Sequence, residues 1–272
     1  MIVSRRILAV VTGGVLLVCY ASTIRGMIGQ WSTDEDMGHG FLVPVVAGWI
    51  VWRERGQWAK LPAAPSWWGL AILAGAAMLH AVAAVGVGLF AASVALVVSV
   101  VGAIAALGGF GFLRAWRFPL LLTVFMLPKL AIVYNQVTLP LQLIASRLAA
   151  AMLRVIGAGV ILEGNILEIS GRRIFVAEAC SGIRYLLPLA FLALLVAYLG
   201  GSKPWVRAAM VLLAIPLAIV ANAVRVAAAA WVPALTTGTP HAVAGWIIFV
   251  FCLAGLVAAR SLMDALHGRF AS

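Results

Sequence analysis

The chain has 272 residues, 65% of them hydrophobic and only 10% charged, against about 25% charged in an ordinary soluble domain. Long runs such as Ile7–Ser22, Trp67–Val85 and Ala208–Ala221 carry no Asp, Glu, Lys or Arg, which excludes a soluble fold and predicts an all-α polytopic membrane protein. A formal charge of +11 would suggest nucleic acid in a soluble domain; here the basic residues fall mostly in short loops, where they set topology, and no nucleic-acid partner is expected.

In chain order, Met1-Ile-Val-Ser-Arg-Arg precedes the first apolar run. No small-x-small cleavage site clearly follows it, so it reads as a span rather than a signal peptide. About eight spans are expected in all, near 7–24, 40–53, 67–84, 88–107, 118–136, 181–199, 208–230 and 243–262. The second is short for a crossing. One integral membrane domain, 1–272, is expected, with an extracytoplasmic or interfacial subregion at 137–179.

One side of this arrangement receives Arg5, Arg6, Arg53, Arg55, Lys60, Arg114, Arg117, Lys203, Arg207, Arg260 and Arg269. The other receives Arg25, the acidic cluster Asp34, Glu35 and Asp36, and the 137–180 connection. The basic side is cytoplasmic by the positive-inside rule, which places both termini inside. On this reading Arg260 is an orienting charge.

Within the connection, the stretch from Leu139 to Arg154 reads as an amphipathic helix. Gln142, Ser146, Arg147 and Arg154 are too polar for lipid, which places it at the interface. Beyond Gly157 and Gly159, the β-branched stretch from Val160 to Val176 is punctuated by Gly164-Asn165 and Ser170-Gly171. That pattern predicts a small β-hairpin or meander.

The chemistry gathers at one face. Cys180, in Glu178-Ala-Cys-Ser-Gly-Ile-Arg184, opens the sixth span; Arg225 lies near the outer end of the seventh; His241 starts the eighth. A helix start and the nearby cations Arg184 and Arg225 favour a thiolate, which is the nucleophilic form of cysteine. A histidine can move protons, and an arginine can hold an oxyanion or a carboxylate. Together they suggest acyl transfer on a peptide. Each residue also has a plainer reading: a packed thiol, an arginine snorkelling to headgroups, a histidine capping a helix. Cys19 and Cys252, inside apolar runs, read as inert core residues. Three cysteines make no disulfide framework, and no cluster has zinc spacing; no metal or cofactor is expected.

Cys180-Ser-Gly-Ile-Arg184, Asn222-x-x-Arg225 and His241-x-x-x-Gly245 resemble the signature set of the exosortases, multi-pass bacterial membrane enzymes. His39-Gly-Phe-Leu-Val-Pro44 is similar to their N-terminal motif, and the Pro140/Gln142 segment also fits; the resemblance covers about 39–250. Archaeosortases commonly show Arg where His241 stands, so the chain follows the bacterial pattern. The resemblance implies a sorting transpeptidase of the bacterial inner membrane with its site facing the periplasm. Its substrates would be secreted proteins ending in a Pro-Glu-Pro-like motif, a transmembrane helix and a basic tail. It further implies Cys180 as nucleophile, with Arg225 and His241 completing the site. Arg184, Asn222 and His39 are candidates for a supporting or substrate-binding shell. His39 reads equally as a helix start. Glu178 reads either as a partner for a cation or as a cap, and His80 as structural.

The rival class is a small-solute transporter, in which charges lie at mid-membrane near broken helices; Lys129 beside Pro128 is the residue that fits it. A membrane scaffold is a second rival.

Overall fold

The computed structural model describes residues 2–176 and 182–270. It is 80% helical with one small three-stranded sheet. The contacts divide the chain into two units, Met1–Leu130 and Ala131–Ser272.

In the first unit, the opening apolar stretch is bent. Helices α1 (Ile2–Cys19) and α2 (Ala21–Thr33) meet at 67°. Tyr20 sits at the bend outside helical geometry, with φ −101° and ψ 13°. Its hydroxyl bonds Ser99 Oγ at 2.8 Å and its ring lies 4.3 Å from that of His80. These side-chain contacts give the bend a cause and make His80 a packing partner. After α3 (Leu42–Arg53) come α4 (Trp67–Val82) and α5 (Gly88–Leu107), which form the tightest helix pair of this unit. A Cβ on Gly69 would lie 2.1 Å from the Ala106 amide nitrogen, so the approach requires glycine.

The second unit begins with α6 (Ala131–Val155), then β1 (Val160–Glu163), β2 (Ile166–Ile169) and β3 (Arg172–Phe175), an antiparallel meander in the order 1-2-3. Its second turn places Ser170 at φ 49° and Gly171 at φ 75°, the left-handed pair that matches hairpin twist. Helices α7 (Ile183–Leu199), α8 (Pro204–Trp231) and α9 (Gly238–Phe270) complete it. Strand alternation turns Val160, Leu167 and Ile169 onto Ala149, Ala150 and Leu153 of α6 and Val226, Ala227 and Ala230 of α8. On the outer face Arg173 pairs with Glu168 at 3.0 Å and Glu163 at 3.3 Å, and being exposed these pairs add little stability.

Among the described residues five helices are long and apolar enough to cross a membrane, six if the bent α1/α2 pair is one span, so the expected count of eight is not confirmed. The shortfall has three causes. Helix α3 has 12 residues; at about 1.5 Å each it covers about 18 Å of a roughly 30 Å hydrocarbon core. Helix α7 has 17 residues and is also short. The span expected at 118–136 is interrupted: a short apolar helical stretch, Arg117–Met126, ends before Leu127–Leu130, and α6 then runs unbroken through the region expected to lie at the interface. Gln142 and Ser146 avoid lipid by turning inward, 6% and 0% exposed, rather than by facing interfacial water.

Candidate functional site

In α8, Asn222 and Arg225 are one helical turn apart on the same face. Both are buried, at 1% and 5% exposure. A snorkelling arginine would hold its head in water; this one points inward. Its Nη2 donates to His241 Nε2 at 2.5 Å. A guanidinium has donors only, so Nε2 must be the acceptor and the ring proton resides on Nδ1. Consistently, Nδ1 donates to the Leu235 carbonyl at 2.7 Å. The end of α8, the short 3₁₀ turn Pro233–Leu235 and the first turn of α9 thus position a cation against the acceptor nitrogen of an imidazole.

Two glycines allow this packing. Gly245 follows His241 by one helical turn on α9, and a Cβ there would lie 3.1 Å from the Tyr185 hydroxyl and 3.6 Å from Arg225 Nε. Gly182 caps the start of α7 at φ 91°, in the left-handed region, and a Cβ there would lie 3.2 Å from Asn222 Cβ. The spacings His241-x-x-x-Gly245 and Asn222-x-x-Arg225 are therefore face spacings on two neighbouring helices, with the glycine of Cys-Ser-Gly seated on Asn222.

Tyr185, buried and in the first turn of α7, places its ring 5.6 Å from Arg225 Cζ. This cation–π contact helps offset the cost of the buried charge. Sequence reasoning missed it; the available signal was its position directly after Arg184, as an aromatic with a polar tip in an apolar helix. The Leu235 carbonyl left no signal at all. Arg225 Nε is buried with no hydrogen-bond partner among the described residues. An unsatisfied buried donor costs about 1–3 kcal/mol, so this N–H favours an oxygen acceptor.

Arg184 lies part-buried in the first turn of α7. Cys180 and Glu178 lie outside the described residues; the chain re-enters at Gly182, two positions beyond Cys180.

His39 belongs to the first unit, in a 3₁₀ turn, Gly38–Phe41, ahead of α3. Its Nε2 donates to the Phe125 carbonyl at 3.0 Å, beside a bond from Trp31 Nε1 to the Met126 carbonyl at 3.1 Å. Burial pushes its pKa below the ordinary 6.5, while the Phe125 carbonyl acts in the opposite sense. Gly40 in the same motif lies against Trp31, where a Cβ would meet the indole nitrogen at 2.4 Å. Lys129, the residue that fitted a transporter, pairs with Asp34 and Asp36 at 2.7 Å each. It lies in the break after Met126, not within a continuous span.

Several apolar helices carrying a buried arginine bonded to a part-buried histidine where two of them adjoin define a multi-pass membrane protein with a polar site in its helical packing. The family model of transmembrane exosortases matches residues 31–258, most of the chain, and the chain belongs to that family. No curated protein and no solved structure matches it.

Proposed function

We propose that the chain is a cysteine transpeptidase that removes C-terminal sorting signals from secreted proteins at the outer face of the bacterial inner membrane. The observation that carries this reading is the pairing of buried Arg225 with part-buried His241, with an Arg225 Nε that no described residue bonds, built at the end of α8 against which Gly182, two residues from Cys180, is packed. Lys203, in the connection between α7 and α8, and Arg207, in the first turn of α8, lie at the other end of these helices, which supports a site facing away from the cytoplasm.

In this mechanism the Cys180 thiol gives its proton to His241 Nε2, the one ring nitrogen with a lone pair. The imidazolium keeps its Nδ1–H on Leu235 and, now a donor at both nitrogens, turns Nε2 from Arg225 towards the substrate. The Cys180 sulfur attacks the carbonyl carbon, and the oxyanion takes the hydrogen bond from Arg225 Nε. The carbon–nitrogen bond breaks, His241 returns its proton to the leaving amine, and a thioester remains. An amine or water then attacks the thioester and frees the thiol. Asn222 and Tyr185 hold Gly182 and Arg225 in place, and Arg184 adds positive charge near the nucleophile.

Substrates on this reading are secreted proteins with a short motif, an apolar helix and a basic tail, which share the bilayer with the enzyme. The test is processing in cells of a reporter ending in such a signal. Loss in a well-expressed Cys180→Ala variant supports the reading, and normal processing returns the transporter or scaffold to first place.

A further inference from the structure

The turn between β1 and β2 holds a side chain that the turn does not need. Gly164 takes the left-handed conformation there, φ 62°, and Asn165 does not. Asparagine is therefore not required at 165 by backbone geometry. Yet its polar groups are committed inward. Its backbone carbonyl accepts from the Val176 amide at 2.9 Å, and its side-chain Nδ2 donates to the Val176 carbonyl at 3.2 Å and to Gln142 Oε1 at 3.4 Å. Both backbone polar groups of Val176 are thus held by one residue. The β2–β3 ladder ends at the Ile166↔Phe175 pair, so Asn165 extends the sheet's grip by one residue. It also ties that point to α6 through Gln142, itself only 6% exposed.

Val176 is 2% exposed and stands four residues before Cys180 in the chain. Beyond Cys180 the chain is held again where Gly182 meets Asn222. The other turn, Ser170-Gly171, lies at the far end of β2, and Ser170 there is exposed.

We propose that Asn165 is a positioning residue for the nucleophile: with Gln142 it fixes where the chain leaves the sheet, and so the register in which Cys180 is delivered to Arg225 and His241. This inference rests on the reading of Cys180 as nucleophile. The meander is then part of the catalytic apparatus, a jig on α6 that sets one end of the segment while Asn222 sets the other. Misplacing a reacting group by about 1 Å can cost about 100-fold in rate, so a clamp of neutral hydrogen bonds can matter more to rate than to stability.

The test uses the full-length protein with Cys19 and Cys252 replaced by Ser, leaving Cys180 as the only thiol. Asn165→Ala, Asn165→Asp and Gln142→Leu are compared with Ser170→Gly as a control in the other turn. Two quantities are read: the rate of Cys180 alkylation by iodoacetamide across pH, and the processing of a secreted reporter carrying the tripartite signal. The inference predicts that the Asn165 variants process about 100-fold more slowly, with an altered alkylation profile and a melting midpoint in detergent close to the parent. Gln142→Leu should reproduce the defect in part with the hairpin sequence intact, which covers the case of an Asn165 variant that fails to fold. Ser170→Gly should match the parent. Parental processing and alkylation in Asn165→Asp and Gln142→Leu, beside an inactive Cys180→Ala, overturn the positioning role alone. An active Cys180→Ala overturns the underlying reading instead.

Discussion

Arg225 and His241 meet in a fixed sense: the guanidinium gives a hydrogen bond to Nε2 at 2.5 Å, and Nδ1 gives its own to Leu235 at 2.7 Å. The ring is thereby oriented with its acceptor nitrogen facing the cation.

Arg225→Lys should lower processing by about 100-fold or more, as loss of an oxyanion donor does. Lysine keeps the charge but lacks the planar fork that reaches His241 while presenting Nε elsewhere. Wild-type processing by this variant would show that charge alone suffices there.

Gly245→Ala should reduce turnover about 10-fold, since a small displacement of a reacting group is enough to do so. The added methyl would sit 3.1 Å from the Tyr185 hydroxyl, which must give slightly, and in ordinary contact with Arg225 Nε at 3.6 Å, so the displacement reaches Arg225 through the Tyr185 ring stacked near it. Expression should be unchanged, and Gly245→Val should be worse. The readout is the rate of reporter processing, normalised to membrane-inserted protein.

Arg260 is more than the orienting charge that its place in a basic loop suggested. Its Nη2 donates to the Gly200 carbonyl at 3.1 Å, capping the end of α7, and its Nε reaches Asp264 at 3.1 Å and Ser202 Oγ at 3.2 Å. Lysine cannot make this set of bonds. Arg260→Lys should therefore cost roughly 1 kcal/mol, seen as a lower melting midpoint in detergent, with topology and processing retained. An unchanged midpoint would reduce Arg260 to its charge.

His39 gives a pH dependence with a definite sign. It lies in the Gly38–Phe41 turn, outside the candidate spans, and burial lowers its pKa from 6.5. Below that value the unfolded chain takes up a proton that the folded one resists, so stability falls as pH drops towards the folded-state pKa and is fully present above 6.5. The melting midpoint should decline between about pH 7 and pH 5, and His39→Gln should flatten that decline. An identical slope in the variant would assign the dependence to other groups.

Much of the second unit was legible because its signals are local. Gly164-Asn165 and Ser170-Gly171 marked the two turns of the meander, and the motif spacings marked residues sharing a helix face. What escaped depends on contacts distant in sequence. Nothing in the first apolar run announces the bend at Tyr20, whose partners are Ser99 and His80. The break at Leu127–Leu130 follows carbonyls bonded by Trp31 and His39, while hydropathy alone reads straight through it. Helix α6 looked interfacial because its polar residues were counted without the sheet and α8 that cover them. Tyr185 carries no charge or nucleophile to draw notice.

The central claim is that Cys180 is the nucleophile served by Arg225 and His241. Its most direct measurement is covalent trapping in a chain whose other two cysteines are replaced by Ser. Membranes carrying this chain and a reporter with the tripartite signal are quenched in acid during processing and separated on a gel without thiols. The account predicts an enzyme–reporter adduct that hydroxylamine cleaves, as expected of a thioester, and that is absent in Cys180→Ala and greatly reduced in Arg225→Lys. Processing that continues in Cys180→Ala, with no adduct formed by the parent chain, would contradict it.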